Sequence, residues 1–373
     1  MIILITGGMT TGVGKTSVGA SIATLLESGG RKIAVVKFDG VLTLSTVATK
    51  KERYQNRPWP GEEIFFIRGK SVDADIGVYY RALVGCKHFV SFWQGDVLFT
   101  MLKKEDITLT FNRLVQHYVM VLADVIKKCD ILIVEVGGTV GDQEQDYFLV
   151  AMKEFVRSDT LFHIHISYIA FGASRKLLKP VKTYINLITN KGLAVDCLIV
   201  RGEKPTLQEK ERIQRDTHID KTNIYWLGDM PLERVVSVIR MFPSIKQLFA
   251  RLHIQPKKTI FEEFENKRKH ARSTLKIGLV TDTEGWSCYN SLKEAIRHAT
   301  VAIDCDVKII EGRTVKSLPA TDGVVIVGAR GSSRGVQLVL KRYQLREAYV
   351  SRPLRPSRLF LKFAKECKDA NNR

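Results

Sequence analysis

The chain has 373 residues, 45% apolar and 26% charged, a balance that excludes disorder throughout and leaves enough chain to bury a sizeable core in two domains, or three. The 58 basic residues exceed the 39 acidic ones by 19. That excess bears on partners rather than on fold, and it favours an anionic partner, nucleic acid before acidic protein or lipid. Cys86, Cys129, Cys197, Cys288, Cys305 and Cys367 are scattered without a CxxC pair, so they read as reduced thiols, not as a disulfide framework. Met1-Ile2-Ile3-Leu4-Ile5 is too short for a signal-peptide core. No apolar run approaches the roughly 20 residues that span a bilayer. The expectation is a cytoplasmic protein without a membrane partner, or a mitochondrial one if it serves a ribonucleoprotein assembly.

In chain order, Ile2–Ile5 is a short apolar run of β type. Ser17–Leu26 places Val18, Ile22, Leu25 and Leu26 at helical spacing. Ile33–Val36 follows a Gly29-Gly30 break, and strand-like runs recur at Ile131–Val134, Phe162–Ile169 and Cys197–Val200. Continuous apolar runs between helices predict an α/β fold of P-loop type, a mostly parallel sheet with helices on both faces. From about His253 to Arg272, Pro256-Lys257-Lys258 and Lys267-Arg268-Lys269 surround acidic residues, which predicts an exposed, partly helical connector. A second α/β pattern follows: strand Leu275–Val280, helix Ser291–Ala299, strands Val307–Ile310 and Gly323–Val327. The implied organisation is a domain over 1–250, a linker over 251–273, a smaller domain over 274–340 and a basic tail over 341–373. That tail holds 10 Lys/Arg and 3 Asp/Glu. Its Arg352, Arg355 and Arg358 stand among two prolines that disfavour a helix, which suits them to RNA or other anion contact.

The strongest local signal is Gly7-Gly8-Met9-Thr10-Thr11-Gly12-Val13-Gly14-Lys15-Thr16, between a strand and a helix. Glycines let the backbone curl so that its N–H groups face phosphate oxygens, and the helix N-terminus adds favourable partial charge. Gly12, Val13, Gly14, Lys15 and Thr16 are therefore the expected nucleotide-binding residues. Lys15 would neutralise terminal phosphates, and Thr16 could reach a metal. Five residues rather than four separate Gly8 from Gly14. Glu135, at a strand end, and Asp75, in Asp73-Ala74-Asp75-Ile76-Gly77, are the candidate Mg2+ carboxylates. His163 and His165 alternate on one strand and so face the same side. With no third ligand near in sequence, they read as a hydrogen-bonded structural pair rather than a zinc site.

Glu135-Val136-Gly137-Gly138-Thr139-Val140-Gly141-Asp142-Gln143-Glu144 resembles the E-[IL]-G-G-T-V-G-D-I-E motif of the CTP synthase family. The loop from Thr6 to Lys15, with its five-residue spacing, resembles the family's phosphate loop. Lys37-Phe38-Asp39, the segment from Glu62 to Tyr79, Leu161–Tyr168, Lys179-Pro180 and Leu198–Arg201 follow in register. Lys276-Ile277-Gly278-Leu279-Val280 and Asp322–Gly335 look like the start of a glutamine amidotransferase domain. The resemblance implies ATP-dependent phosphorylation of the UTP 4-oxygen, displacement of that phosphate by ammonia to give CTP, and glutamine hydrolysis in a second domain. It implies ATP and Mg2+ as cofactors, Lys15 and Lys37 as catalytic residues if the chain is active, and Asp75 and Glu135 on the metal. Gly138, Thr139, Asp142 and Glu144 would handle the UTP or CTP phosphate and base. Association with itself or with a CTP synthase paralogue is a further implication.

The departures matter as much. The family's G-[IV]-C-L-G-M-Q nucleophile segment has no counterpart, and Cys367 lacks the strand-to-helix elbow a nucleophile needs. The expectation is a degenerate glutaminase-like remnant without glutamine hydrolysis. In the family's K-T-K-P-T-Q segment the first lysine is Leu177 here, and the glutamine is Lys182. Losses gather on the acceptor side, while the phosphate and metal side is kept. The favoured reading is an ATP–Mg2+-binding pseudoenzyme with a structural or regulatory role, docking on RNA or an assembly. The alternative is an ammonia-dependent CTP synthase or related amidoligase. A third possibility is a fold that binds no nucleotide.

Overall fold

A computed structural model describes residues 1–8, 12–39, 64–67, 70–83, 85–86, 88–93, 110–155, 160–172, 175–281, 290–312, 318–327 and 350–351. The chain divides into two compact units, Met1–Pro58 with Ile64–Glu262, and Trp59–Glu63 with Glu263–Arg373. Arg352, Arg355 and Arg358 lie outside the described residues. Among the described residues no helix is long and apolar enough to cross a membrane.

The first unit is built on strands β1 (Ile2–Gly7), β2 (Ile33–Asp39), β5 (His88–Trp93), β6 (Ile131–Val136), β7 (Leu161–Ile169), β8 (Cys197–Gly202) and β9 (Ile224–Trp226). They form one sheet in the order β5-β2-β6-β1-β7-β8-β9, and every pairing is parallel. A small antiparallel pair, β3 (Ile64–Ile67) and β4 (Lys70–Asp73), leads straight into helix α2 (Ala74–Ala82). Strand alternation divides the side chains between two layers. Ile3, Ile5, Val35, Ile133, Ile164 and Ile166 pack with helix α1 (Lys15–Ser28), with α2, and with α7 (Leu232–Arg240) and α8 (Pro243–Arg251). Ile2, Leu4, Val36, Leu132 and Val134 pack with α3 (Thr110–Ile126) and α4 (Gln143–Lys153). Farther along, Leu198 and Val200 meet α5 (Lys179–Asn190) and α6 (Leu207–Thr217). Burial on both faces explains why these strands read as unbroken apolar runs. The expected α/β sheet with helices on both faces is the one observed.

Helix α1 begins where Gly14, at φ 97, turns the chain in a left-handed conformation that suits glycine. Helix α6 starts on a capping box, Thr206 Oγ1 accepting from Glu209 N while Glu209 accepts from Thr206 N. Pro180 and Pro243 sit in the first turns of α5 and α8, where their missing N–H costs nothing. Ile254 and Phe261, in the stretch expected as an exposed connector, are instead buried in the α1-side layer. Their apolar side chains found that layer, which the local charge of the segment could not reveal. Helix α9 (Ile260–Lys269) follows.

The second unit holds β10 (Ser273–Thr281), α10 (Asn290–Val301), β11 (Cys305–Gly312), β12 (Gly323–Val327) and β13 (Val350–Ser351). Its strands form a parallel sheet in the order β11-β10-β12-β13. Ile277 and Leu279 of β10 and Ile296 of α10 are buried. Such a small α/β sheet hosts many functions, so its architecture alone assigns none.

Candidate functional site

β1 lies in the middle of the sheet, between β6 and β7, and the chain leaves it towards β2 on one side and later towards β7 on the other. The carboxyl ends of strands at such a reversal form a crevice where open parallel sheets bind ligands. The two neighbouring loops are tied there: Gly8 N donates to Ile166 O at 2.9 Å, and Val140 N donates to Gly7 O at 2.9 Å.

On the α1 side of this edge the candidate residues converge. Lys15, at the start of α1, is buried, and its Nζ donates to Gly138 O at 2.8 Å. Thr16 Oγ1 donates to Glu135 Oε1 at 2.9 Å. Lys37, the one charged side chain within the apolar body of β2, is buried and pairs with Asp75 Oδ2 and, at 3.3 Å, with Glu135 Oε1. Asp75 stands in the first turn of α2, where the helix N-terminus favours a carboxylate. Glu135 is fully buried, and Tyr79 Oη donates to its Oε2 at 2.7 Å. Two lysines, a hydroxyl and a phenol from three elements thus gather around two carboxylates. A buried charge of this kind is tolerable only when paired and hydrogen-bonded.

The electrostatics follow. Burial alone would raise the Asp75 carboxyl, but the charge and hydrogen bond of Lys37, with Thr16 and Lys15 behind them, hold it below its ordinary value. Burial, then the Glu135 charge and hydrogen bond, push the Tyr79 phenol well above its ordinary value, so it remains a donor. The hydrogen bond of Tyr79 to Glu135 is not legible in the sequence, because it joins α2 to the end of β6. Tyr80, its neighbour in the helix, is half exposed, its ring 5.5 Å from that of Phe89, because consecutive helical positions point in different directions.

The phosphate-loop candidates Gly12, Val13 and Gly14 precede Lys15 and Thr16 on the same loop, while 9–11 lie outside the described residues. Gly138 turns the loop after β6 at φ 74, and a Cβ there would fall 2.4 Å from Gln145 Nε2. Gln145 is buried and donates to Gly137 O, bracing that loop. Thr139 lies partly buried in the same loop, whereas Asp142 is exposed at its outer end and is not brought to the carboxylates. Glu144 is in the first turn of α4, and its side chain is outside the described residues. Sequence reading missed Arg201. Its guanidinium lies 3.3 Å from where a Cβ on Gly14 would stand, and it pairs with Asp229 at 3.3 Å. A lone arginine at the end of the buried run Cys197–Val200 was the available signal. Leu177, where the resemblance sets a lysine, is 40% exposed just before α5.

On the other side of the same sheet edge, His163 and His165 are fully buried and flank Thr6. His163 Nε2 and His165 Nδ1 each lie 2.8 Å from Thr6 Oγ1. They are a hydrogen-bonded pair, as expected, with Thr6 as the unforeseen link.

The family of the CTP synthase N-terminus matches residues 1–254, which contain every one of these groups. The chain belongs to that family. It is similar to the CTP synthases of Chlamydia abortus, 28% identical over 363 residues, and of Bacillus subtilis, 27% over 367. These matches take in 88% and 90% of this chain and 65% and 67% of those proteins. The chain thus spans about two thirds of the length of its curated relatives. The CTP synthase of Pyrococcus furiosus is 26% identical over 369 residues. Among solved structures, the signal recognition particle 54 kDa protein of Aeropyrum pernix in complex with GDP aligns at a TM-score of 0.35 and 14% identity. That alignment covers 71% of this chain and 50% of that one, a likeness too slight to bear on function.

Asp75, Glu135 and Thr16 fit a magnesium ion. They supply hard oxygen ligands at the end of a strand, and the spot between the two carboxylates already receives a cation, the Lys37 ammonium.

Proposed function

We propose that this member of the family binds ATP with Mg2+ at the β1–α1 loop and uses ammonia to aminate the 4-position of UTP. The observation that carries this reading is the convergence of Lys15, Thr16, Lys37, Asp75 and Glu135 on one sheet edge. Phosphoryl transfer asks the protein for positioning and for charge neutralisation more than for covalent chemistry. Lys15 and the amides around Gly12–Gly14 would hold the terminal phosphates, and Asp75, Glu135 and Thr16 would hold the metal, which neutralises developing charge. Lys37 would stand beside the transferring group once the carboxylates engage the ion. In the balanced reaction the bond from the terminal phosphorus to its bridging oxygen breaks and a bond to the UTP 4-oxygen forms. ADP leaves and the ring N3 proton is lost. Ammonia then forms the C–N bond, phosphate departs with the 4-oxygen, and one proton leaves the nitrogen.

One observation favours a second reading, a nucleotide-binding subunit that makes no CTP. Leu177 presents an apolar, exposed side chain where the resemblance sets a cation, and a missing cation at an anionic substrate weakens both binding and stabilisation of developing charge. Such a subunit would serve an assembly with an active paralogue or, given the charge of +19, with RNA.

Calorimetry of ATP–Mg2+ on the full chain and on Lys15→Ala, beside CTP formation from UTP, ATP and ammonium, separates the two. CTP formed with ammonium, not with glutamine, and abolished by Lys15→Ala supports the ammonia-fed ligase. Tight ATP binding without CTP supports the subunit, and no ATP binding refutes both.

A further inference from the structure

The two buried histidines carry more than a structural bond, because their surroundings fix every proton. His163 Nδ1 lies 2.8 Å from the carbonyl oxygen of Ala194, which can only accept, so Nδ1 carries the hydrogen. Burial keeps His163 neutral, with a pKa lowered to about 4. Its Nε2 is therefore a bare acceptor and takes the single hydroxyl hydrogen of Thr6. With that hydrogen spent, Thr6 Oγ1 can only accept from His165, so His165 Nδ1 carries a hydrogen as well. His165 is also held neutral, first by burial, then because protonating it beside His163 would set two like charges side by side, and last by the charge of Lys15. Its Nε2 must then present an unshared electron pair, and that atom is buried without a hydrogen-bond partner among the described residues. A buried, unanswered acceptor of this kind is rare and costly in a folded protein.

Its position is informative. His165 pairs in register with Thr6, next to the Gly7-Gly8 turn that opens the phosphate loop. The Tyr184 ring, whose centroid is 6.4 Å from that of His165, covers Gly8 closely enough that a Cβ there would meet Tyr184 Cδ2 at 2.5 Å. The Gly138–Asp142 loop is tied to the same end of β1 through Val140 and Gly7. The acceptor therefore lies at the foot of the ligand crevice, on the other sheet face from Lys37, Asp75 and Glu135. The opposite end of the chain of bonds is anchored: His163 N donates to Asp196 Oδ2 at 2.7 Å.

We propose that His165 Nε2 is a substrate-binding atom that accepts a hydrogen bond from the N–H group that loses its proton in the reaction, either the pyrimidine N3–H or ammonia. This rests on the amination reading above. Thr6 and His163 act through His165 as positioning residues, since they hold the tautomer that leaves Nε2 bare. Acceptance from N–H selects a keto pyrimidine over one whose N3 carries no hydrogen, and it orders ammonia by a single lone pair.

The test uses the full chain labelled with 15N-histidine and saturated with ATP–Mg2+. His165→Asn is the key variant, because the Asn amide keeps a donor towards Thr6 while removing the Nε2 acceptor. It assigns the His165 resonances by their loss. The free protein should show an unprotonated Nε2 at His165, and adding UTP or adding ammonium should shift it upfield. The arm that shifts names the donor. In steady state His165→Asn should raise KM for that substrate about three- to tenfold, the worth of one hydrogen bond, with ATP–Mg2+ affinity unchanged. UTP that binds by calorimetry, and ammonium that supports turnover, with the Nε2 resonance unmoved in both arms would overturn the inference and leave the amination reading standing. Absence of UTP binding together with absence of turnover would remove both. A protonated Nε2 in the free protein also sinks the assignment.

Discussion

The two faces of the central sheet reach the same ligand edge with opposite electrostatic strategies. On the α1–α2 face Lys15, Lys37, Asp75 and Glu135 are charged and mutually paired. On the α3–α5 face, at the same height, His163, Thr6 and His165 form a neutral chain. The charged face suits groups whose charge grows or moves, phosphates and a metal. The neutral face suits a donor of hydrogen bonds. A parallel sheet allows both because alternate residues of one strand end face opposite layers.

The sharpest break in this comparison is Glu135→Ala. It removes the one carboxylate that Thr16, Lys37 and Tyr79 share, leaving buried partners without an anion. Urea unfolding should show a loss of about 3–5 kcal/mol. A loss below about 1 kcal/mol would mean that water reaches the charged face and that its pairing matters little.

Acid titration of stability separates the two faces without mutation. His163 has a folded pKa of about 4, below its ordinary value of about 6.5 in the unfolded chain. The unfolded chain therefore binds the proton first, and stability is present above pH 6.5 and lost as pH falls from about 6.5 towards 4. One such group gives a slope of about 1.4 kcal/mol per pH unit, roughly 3 kcal/mol across the window, and His165, lowered for the same reason, adds to it. Asp75 is also lowered, but from a carboxylate value, so its contribution stays until the pH falls through its folded pKa, below about 4. Denaturant midpoints from pH 7 to pH 3 should fall first through the histidine window. In His163→Gln that first slope should diminish while the second stays. A flat profile between pH 6.5 and 4 would contradict the neutral chain.

Tyr79→Phe tests a single bond on the charged face. Losing the 2.7 Å hydrogen bond to buried Glu135 should cost about 1.5–3 kcal/mol, as for bonds to charged groups. Gly19→Ala probes the same spot by crowding, since its Cβ would lie 1.8 Å from Tyr79 Oη. A cost of about 1–3 kcal/mol is expected, with weakened Mg2+ response in thermal melts. Thr206→Ala, away from both faces, removes the α6 capping box and should cost only about 1 kcal/mol, with ATP–Mg2+ affinity unchanged. If it altered that affinity, the edge could not be treated as an independent site.

Local pattern was enough for much of this. Ile2–Ile5, Ile33–Val36 and Cys197–Val200 had to be buried parallel strands, because uninterrupted apolar runs flanked by helical spacing leave no solvated face. The loop ending in Gly14-Lys15-Thr16 was legible as a candidate phosphate loop because its glycines and lysine have few other uses at a strand–helix turn. The carboxylates Asp75 and Glu135 were identifiable as candidates. Their meeting through Lys37 was not, because 60 positions of sequence separate them and only the pairing of β2 with β6 and the placement of α2 on that face join them. Helix α3 and strand β5 were also passed over, since neither carries a cap or turn signal strong enough to mark its ends. The histidine pair could be placed on one side of a strand from its period of two. The bare nitrogen of His165 could not, because it depends on Thr6 from β1 and on the Ala194 carbonyl, and a tautomer is set by partners that only tertiary structure brings together. What the sequence determined by itself was the kind of element and the candidate residues for chemistry, both encoded in neighbouring residues. What the tertiary structure decided was which charges cancel, which hydroxyl is shared and which acceptor is left unanswered, because those depend on distances between strands that the chain visits far apart in order.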